Sequence, residues 1–438
     1  MNKFVEIDFE FFDSSERDPV VVCCSLREVV KIGKDNRGKY QVHEYWTLDE
    51  DDADSLVEHL TELQKEEAIF LAFGAGAEAR CFWALGLNPL EFNWICEHAE
   101  WKCITNHYST LRYGKHYIDG KVKTLIPPKW EKWGENESNQ KLKHSLTEMV
   151  FKLHGEKIDT DHKNEMRDII ISGDLELIEE NREAIQTYCT SDIVWLHDSL
   201  EALLEHYKRL LKGHSDLKKP IKQDMFKRGE TMVRTARIER EGYYINYEAT
   251  KNFSEQCHEI LKEVQRDINE QFPEIGVFKL DKKTRFYTRK EKPIKEWISN
   301  LNVAEQWPLT DKGSYSLAQD SFSKFFNYKH SYPRNNFGAQ MLRYLKLKQS
   351  LSGFMPVKNP TKKGQKKFWD SVGRDGIVRP YLNAYGSQAG RFQPAATGFL
   401  FLKPAWMRSL AQPPKGKVIA GIDYKSQEYL ISALMSGD

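Results

Sequence analysis

Cysteine is scarce and unpatterned in this chain. There are seven in 438 residues, an odd number, and none sits in a CxxC pair or in a Cys/His spacing that would hold zinc. The cysteines therefore predict neither a disulfide frame nor a zinc site, but reduced thiols in a cytosol. Long apolar runs are also missing: none reaches the roughly 18 residues that a membrane span needs. The N-terminal MNKFVEIDFEFF has no signal-peptide pattern. A soluble cytoplasmic protein without a membrane partner is expected. No internal repeat is present.

Net charge is nearly absent as well, at +1, because two opposite halves cancel. Residues 1–200 hold 23 Lys and Arg against 39 Asp and Glu, whereas residues 201–438 hold 42 against 25. The basic half is densest at 321–418, with 18 basic residues and only two acidic ones, Asp370 and Asp375. A basic half suggests a polyanionic partner. An acidic half beside it suggests metal sites or a separate task. The length fits about two to four domains.

Residues 3–9 and 19–30 run apolar and β-branched, as strands do. The segment 49–67 carries Leu56, Leu60 and Leu63 at helical spacing, AIFLAFG (68–74) reads as a strand, and AEARCFWALGL (77–87) as a helix. Alternating strands and helices predict an α/β domain. Residues 115–143 read as a loop or insertion, and 144–210 as helical. The charge switch and the polar run KGHSDLKKPIKQ place a boundary near 205–222. Beyond it, 228–241 and 250–272 read as helices, MLRYLKLKQSL (341–351) as a basic helix and TKKGQKK (361–367) as a basic loop. From 371 onward the pattern is strand-like, with the apolar run VIAGI ending at Asp423.

Three acidic patterns stand out. In Asp8-Phe9-Glu10, side chains two apart on a strand share a face, so two carboxylates point one way. Such a pair suits a hard cation, Mg²⁺ or Mn²⁺, and equally fits a solvated strand end. In Tyr188-Cys-Thr-Ser-Asp192, helical spacing presents a phenol and a carboxylate together; an amphipathic helix with a surface Asp gives the same pattern. Glu78 follows a Gly-rich turn at a helix start, where an acid also suits the helix dipole.

In this order the three patterns resemble the DEDD superfamily of 3′–5′ exonucleases, in its Tyr-containing branch, over residues 1–205. The resemblance implies an α/β domain with a ribonuclease H-like mixed sheet and two Mg²⁺ (or Mn²⁺) ions. Asp8 would be shared between them, Glu10 and Asp192 would complete the first site, Glu78 would support the second, and Tyr188 would orient the attacking water. The middle motif departs from the family: Gly74 stands where an Asn is expected, and Glu78 where an Asp is expected.

The second half resembles family A DNA polymerases, the DNA polymerase I type, particularly phage members. The stretch RGETMVRTARIEREGYYIN (228–246), the tract EQWPLTDKGSYSLAQDSF (305–322), GRFQP (390–394) and IDYKSQE (422–428) carry this resemblance. It implies a mostly helical, DNA-binding thumb over 206–370 and the start of an α+β palm over 371–438. Asp423 would hold metal for nucleotidyl transfer, and Glu428 would gate against the ribose 2′-OH. Arg391 would touch the minor groove, and Arg343, Lys346 and Lys348 would grip the duplex backbone. The implied partners are primer–template DNA, a single-stranded 3′ end and dNTPs.

Family A palms carry a second acid and a fingers helix after the segment that resembles 422–428. None follows Asp438, so the expectation is a split polymerase or a truncated one. In the split case a second polypeptide would supply the rest, and this chain would contribute proofreading and DNA binding. The alternative is a catalytically weak DNA-binding subunit.

Overall fold

The first strand, β1 (Phe4–Phe12), reads FVEIDFEFF, and its alternation sets the two faces of a central sheet. The structure, a computed structural model, describes residues 3–14, 17–30, 39–105, 115–118, 121–124, 144–158, 160–210, 220–281, 287–326, 336–355, 368–387, 390–395, 398 and 400–437. The basic loop at 361–367, most of the polar run at 212–223 and most of 115–143 lie outside the described residues. The chain forms two units. Unit 1 draws on Met1–Gly242, Gly373–Asp375 and Arg379–Ala395, and unit 2 on Tyr243–Val372, Gly376–Val378 and Ala396–Asp438.

Unit 1 is α/β. Its five-stranded mixed sheet has the order β3-β2-β1-β4-β5, with β2 (Val20–Val30), β3 (Lys39–Tyr45), β4 (Ile69–Ala72) and β5 (Asn93–Cys96). The first three strands are antiparallel neighbours, while β4 and β5 run parallel to β1. The parallel step from β3 to β4 is made by α1 (Glu50–Lys65). Asp49 caps this helix by accepting from the Asp51 N–H, and three acids fill the first turn, where the dipole favours them.

Val5, Ile7 and Phe9 face one side and pack with Leu56, Leu60 and Leu63 of α1 and Phe82 of α2 (Ala75–Ala84). Glu6, Asp8 and Glu10 must then face the other side. A bulge in β2 adjusts that second face: Glu10 pairs with Cys23 and Phe11 with Val21, leaving Val22 extra. Val22 and Cys23 therefore both join the cluster that holds Ile185, Tyr188 and Cys189.

The helices α3 (Glu97–Thr105), α4 (Leu146–His154), α5 (Thr160–Ser172), α6 (Leu175–Glu180), α7 (Arg182–Ile193) and α8 (Leu196–Leu210) complete most of unit 1. A long helix, α9 (Pro220–Glu241), also belongs to it. The charge switch near 205–222 thus falls within unit 1, because α9 is docked on the sheet. A Cβ on Gly229 would lie 2.1 Å from the Trp94 carbonyl oxygen, so only glycine allows this approach to β5. Arg228 adds a two-pronged ion pair to buried Glu100 of α3, at 2.6 and 2.8 Å, and Tyr207 of α8 donates to the same carboxylate at 2.9 Å.

Unit 2 is mostly helical. Its main helices are α10 (Tyr247–Gln271), α11 (Glu291–Ser299), α12 (Gln319–Phe326) and α13 (Phe337–Ser352). Gly338 packs against the Phe326 ring, where a Cβ would clash at 2.4 Å. The tract 307–316 folds as a tight turn: buried Trp307 stacks on Phe325 and donates from Nε1 to the Ser316 carbonyl at 2.9 Å, with Gly313 at φ +73.

The expected strand VIAGI is not formed. Val418 and Ile422 are 88% and 89% exposed, and no described segment pairs with them. An apolar run becomes a strand only when a neighbour takes its backbone hydrogen bonds. The following helix, Gln427–Ser436, is present. No helix among the described residues is long and apolar enough to cross a membrane.

Candidate active site

On the second face of the sheet, Asp8 and Glu10 of β1 meet Asp192 of α7. Their carboxylate oxygens all lie within 4.8 Å of one another. The position of α7 follows from contacts to β2. Ser25 Oγ and Thr190 Oγ1 are 2.9 Å apart, and Gln186 donates to Ser25 Oγ at 3.1 Å. Cys189 Sγ donates to the Asp8 carbonyl at 3.4 Å.

The end of α7 is fixed by a buried ion pair. Arg27 of β2 pairs with Glu6 and donates to the carbonyls of Ile193 and Val194 at 3.3 and 2.8 Å. Glu6 in turn accepts from the His197 N–H at 2.6 Å, at the start of α8. Cation and anion are thus placed at a helix C-terminus and N-terminus, as the dipoles require.

Burial is the first cause that raises the carboxyl pKa values of Asp8, Glu10 and Asp192. The Asp192 charge adds to it at Asp8, and the Asp8 charge adds to it at Glu10. Lys163 of α5 opposes this, standing 2.5 Å from both oxygens of Asp192 and 5.3 Å over the Tyr188 ring. Three clustered carboxylates attract a cation, and their hard oxygens suit Mg²⁺ or Mn²⁺.

Tyr188, one turn before Asp192, is buried beside the cluster. Burial first, then the charges of Glu10, Asp192 and Asp8, push its phenol far above the ordinary range, so it stays neutral. Glu78 sits in the first turn of α2, buried, and outside the 4.8 Å group. Burial first, then Asp8 and Glu10, hold its carboxyl well above the usual range, and its Oε2 has no hydrogen-bond partner.

The remaining predicted residues stand elsewhere. Arg391 is an exposed turn residue of unit 1, its backbone N–H donating to Ser387 Oγ at 2.8 Å. Arg343, Lys346 and Lys348 lie on α13 of unit 2. At about 100° per residue, Lys348 is about 140° round the helix from Arg343, whereas Lys346 is about 60° away. Asp423 is exposed in unit 2 and belongs to no group of three metal-capable side chains among the described residues. Glu428 is in the first turn of the last helix.

Lys163 was not singled out in the sequence. Its signal is a charge on an apolar stripe, since Met166 and Ile170, three and seven residues on, are buried.

No protein-family model matches the chain, and no curated protein matches it. Among solved structures, it is similar to the POL domain of Pol1 from M. smegmatis in complex with DNA primer-template and dNTP. The identity is 12% and the TM-score 0.49, over 93% of this chain and 54% of that one. The chain spans about half the length of that protein's solved chain.

Proposed function

We propose that unit 1 is a metal-dependent 3′–5′ exonuclease of DEDD type, acting on DNA as the proofreading part of a family A polymerase. One observation carries this reading: the convergence of Asp8, Glu10 and Asp192 oxygens within 4.8 Å on a sheet face, beside Tyr188. The donor set is all carboxylate, which fits Mg²⁺ or Mn²⁺. When bound, such an ion activates water and neutralises the phosphodiester in the transition state.

The chain's own residues do the rest. Asp8, Glu10 and Asp192 would hold the ion, with Asp8 shared if Glu78 helps to hold a second. Tyr188 keeps its proton, and its phenol would orient the attacking water. Lys163 holds the Asp192 carboxylate in place. The five-stranded mixed sheet supports the ribonuclease H-like reading.

The basic residues of unit 2 would bind the duplex backbone, without reading sequence. Nucleotidyl transfer at Asp423 would need a further carboxylate brought to it, which is the role assigned to a second polypeptide. A second reading, a DNA-holding subunit with little catalysis, is favoured by Glu78 standing outside the carboxylate group.

The test is a 5′-labelled primer on a longer template. The exonuclease reading expects Mg²⁺-dependent shortening from the 3′ end, stopped by chelator. Binding without shortening would favour the second reading.

A further inference from the structure

A second cluster lies on the opposite face of the sheet, toward α1. Glu28 of β2, His43 of β3 and His59 of α1 bring one carboxylate oxygen and two imidazole nitrogens within 4.8 Å of one another. His59 Nε2 is 2.8 Å from Glu28 Oε1, and His43 Nε2 is 3.4 Å from the same oxygen. The other oxygen, Oε2, is taken by Lys3 at 2.6 Å.

As a hydrogen-bond network this cluster is incomplete. His43 Nε2 is enclosed yet has no hydrogen-bond partner. An enclosed polar group left so is unfavourable. The neighbouring imidazole is, by contrast, well oriented: Tyr45 Oη is 2.8 Å from His59 Nδ1. If Tyr45 accepts from Nδ1–H, the Nε2 lone pair faces Glu28 Oε1 and a cation between them satisfies both; in the other tautomer Nε2–H donates to that oxygen, a donor that a bound cation would replace.

We propose that Glu28, His43 and His59 form a site for a borderline divalent ion of the Zn²⁺ class, tying the edge strand β3 to β2 and α1. Metal–ligand bonds of about 2.0–2.1 Å in tetrahedral array require ligand atoms about 3.3 Å apart. The separations of 2.8 and 3.4 Å bracket that value. Two imidazoles and one carboxylate select Zn²⁺ or Co²⁺ over Mg²⁺, in contrast to the all-carboxylate group on the other face. The site lies at the sheet edge, since β3 is the outermost strand, and the His43 side chain is partly exposed there. Tyr45 Oη at His59 Nδ1 would orient the ring, the role that outer partners play for metal-bound histidine. Any proton on the His59 Nε2 is released to solvent on binding.

The test uses the metal-free full chain titrated with Co²⁺ and read by visible absorption. One equivalent should produce tetrahedral bands, displaced by Zn²⁺ and not by excess Mg²⁺. His43→Ala should abolish the bands and Asp8→Ala should leave them. Tyr45→Phe, which keeps the packing ring, should weaken Co²⁺ binding by about 10-fold or more. Absence of bands, bands that survive in a folded His43→Ala protein, or unchanged affinity in Tyr45→Phe would each overturn the proposal. Should His43→Ala not fold, the Tyr45→Phe affinity decides.

Discussion

Lys163 Nζ stands 2.5 Å from both carboxylate oxygens of Asp192. It is the cation that makes three converging carboxylates tolerable. Replacing Lys163 by Met removes a charged hydrogen bond, which should cost about 1.5–3 kcal/mol. The metal-free variant should melt below the wild type, and Mg²⁺ should raise its Tm by more than it raises that of the wild type. Equal Mg²⁺ shifts in both proteins would contradict this role.

Docking of α9 rests on Gly229 and Arg228. Gly229→Ala drives a methyl into the Trp94 carbonyl and should destabilise the protein by at least about 1–3 kcal/mol. Arg228→Ala strands the buried Glu100 carboxylate and should cost about 3–5 kcal/mol. Urea unfolding measures both, and near-neutral effects would mean that α9 is not held on β5.

Glu97 gives a pH dependence with a defined sign. It is fully buried, and no cation is paired with it among the described residues. Burial first, then the charges of Glu6 and Glu100, raise its carboxyl well above the ordinary range. The folded chain keeps a proton there that the unfolded chain releases near its usual value. This contribution to stability is present at low pH and is lost as pH rises through the folded value. As pH rises above the usual carboxyl range, Glu97→Gln should lose less stability than the wild type. Parallel pH curves for the two proteins would refute this.

The basic helix α13 should act through counterion release. Arg343→Ala with Lys346→Ala should reduce the slope of log K against log salt by about 2. Lys348→Ala, on another side of the helix, should change it less. An unchanged slope in the double variant would remove α13 from the DNA contact.

Much of unit 1 was legible because its signals are local. The alternation in FVEIDFEFF gave the strand and put Asp8 and Glu10 on one face, and the spacing of Tyr188 and Asp192 gave one helix face. What brings these together is not local. The β2 bulge at Val22 and the Glu6–Arg27 pair at the end of α7 join residues far apart in the chain, and no spacing announces them. Glu28, His43 and His59 went unseen for the same reason. VIAGI reads as a strand, but apolarity alone does not supply a pairing neighbour. Glu78 was anticipated at its helix start, but whether it reaches the carboxylate group depends on how α2 meets β1.

The most direct measurement is Mg²⁺-dependent shortening of a 5′-labelled primer by the wild type and by Asp8→Ala, with DNA affinity measured for each. Shortening by the wild type should be lost in Asp8→Ala, while DNA affinity stays the same or rises as a negative charge is removed. Shortening that persists in Asp8→Ala, or that is absent from the wild type under Mg²⁺, would contradict the assignment of the active site to Asp8, Glu10 and Asp192.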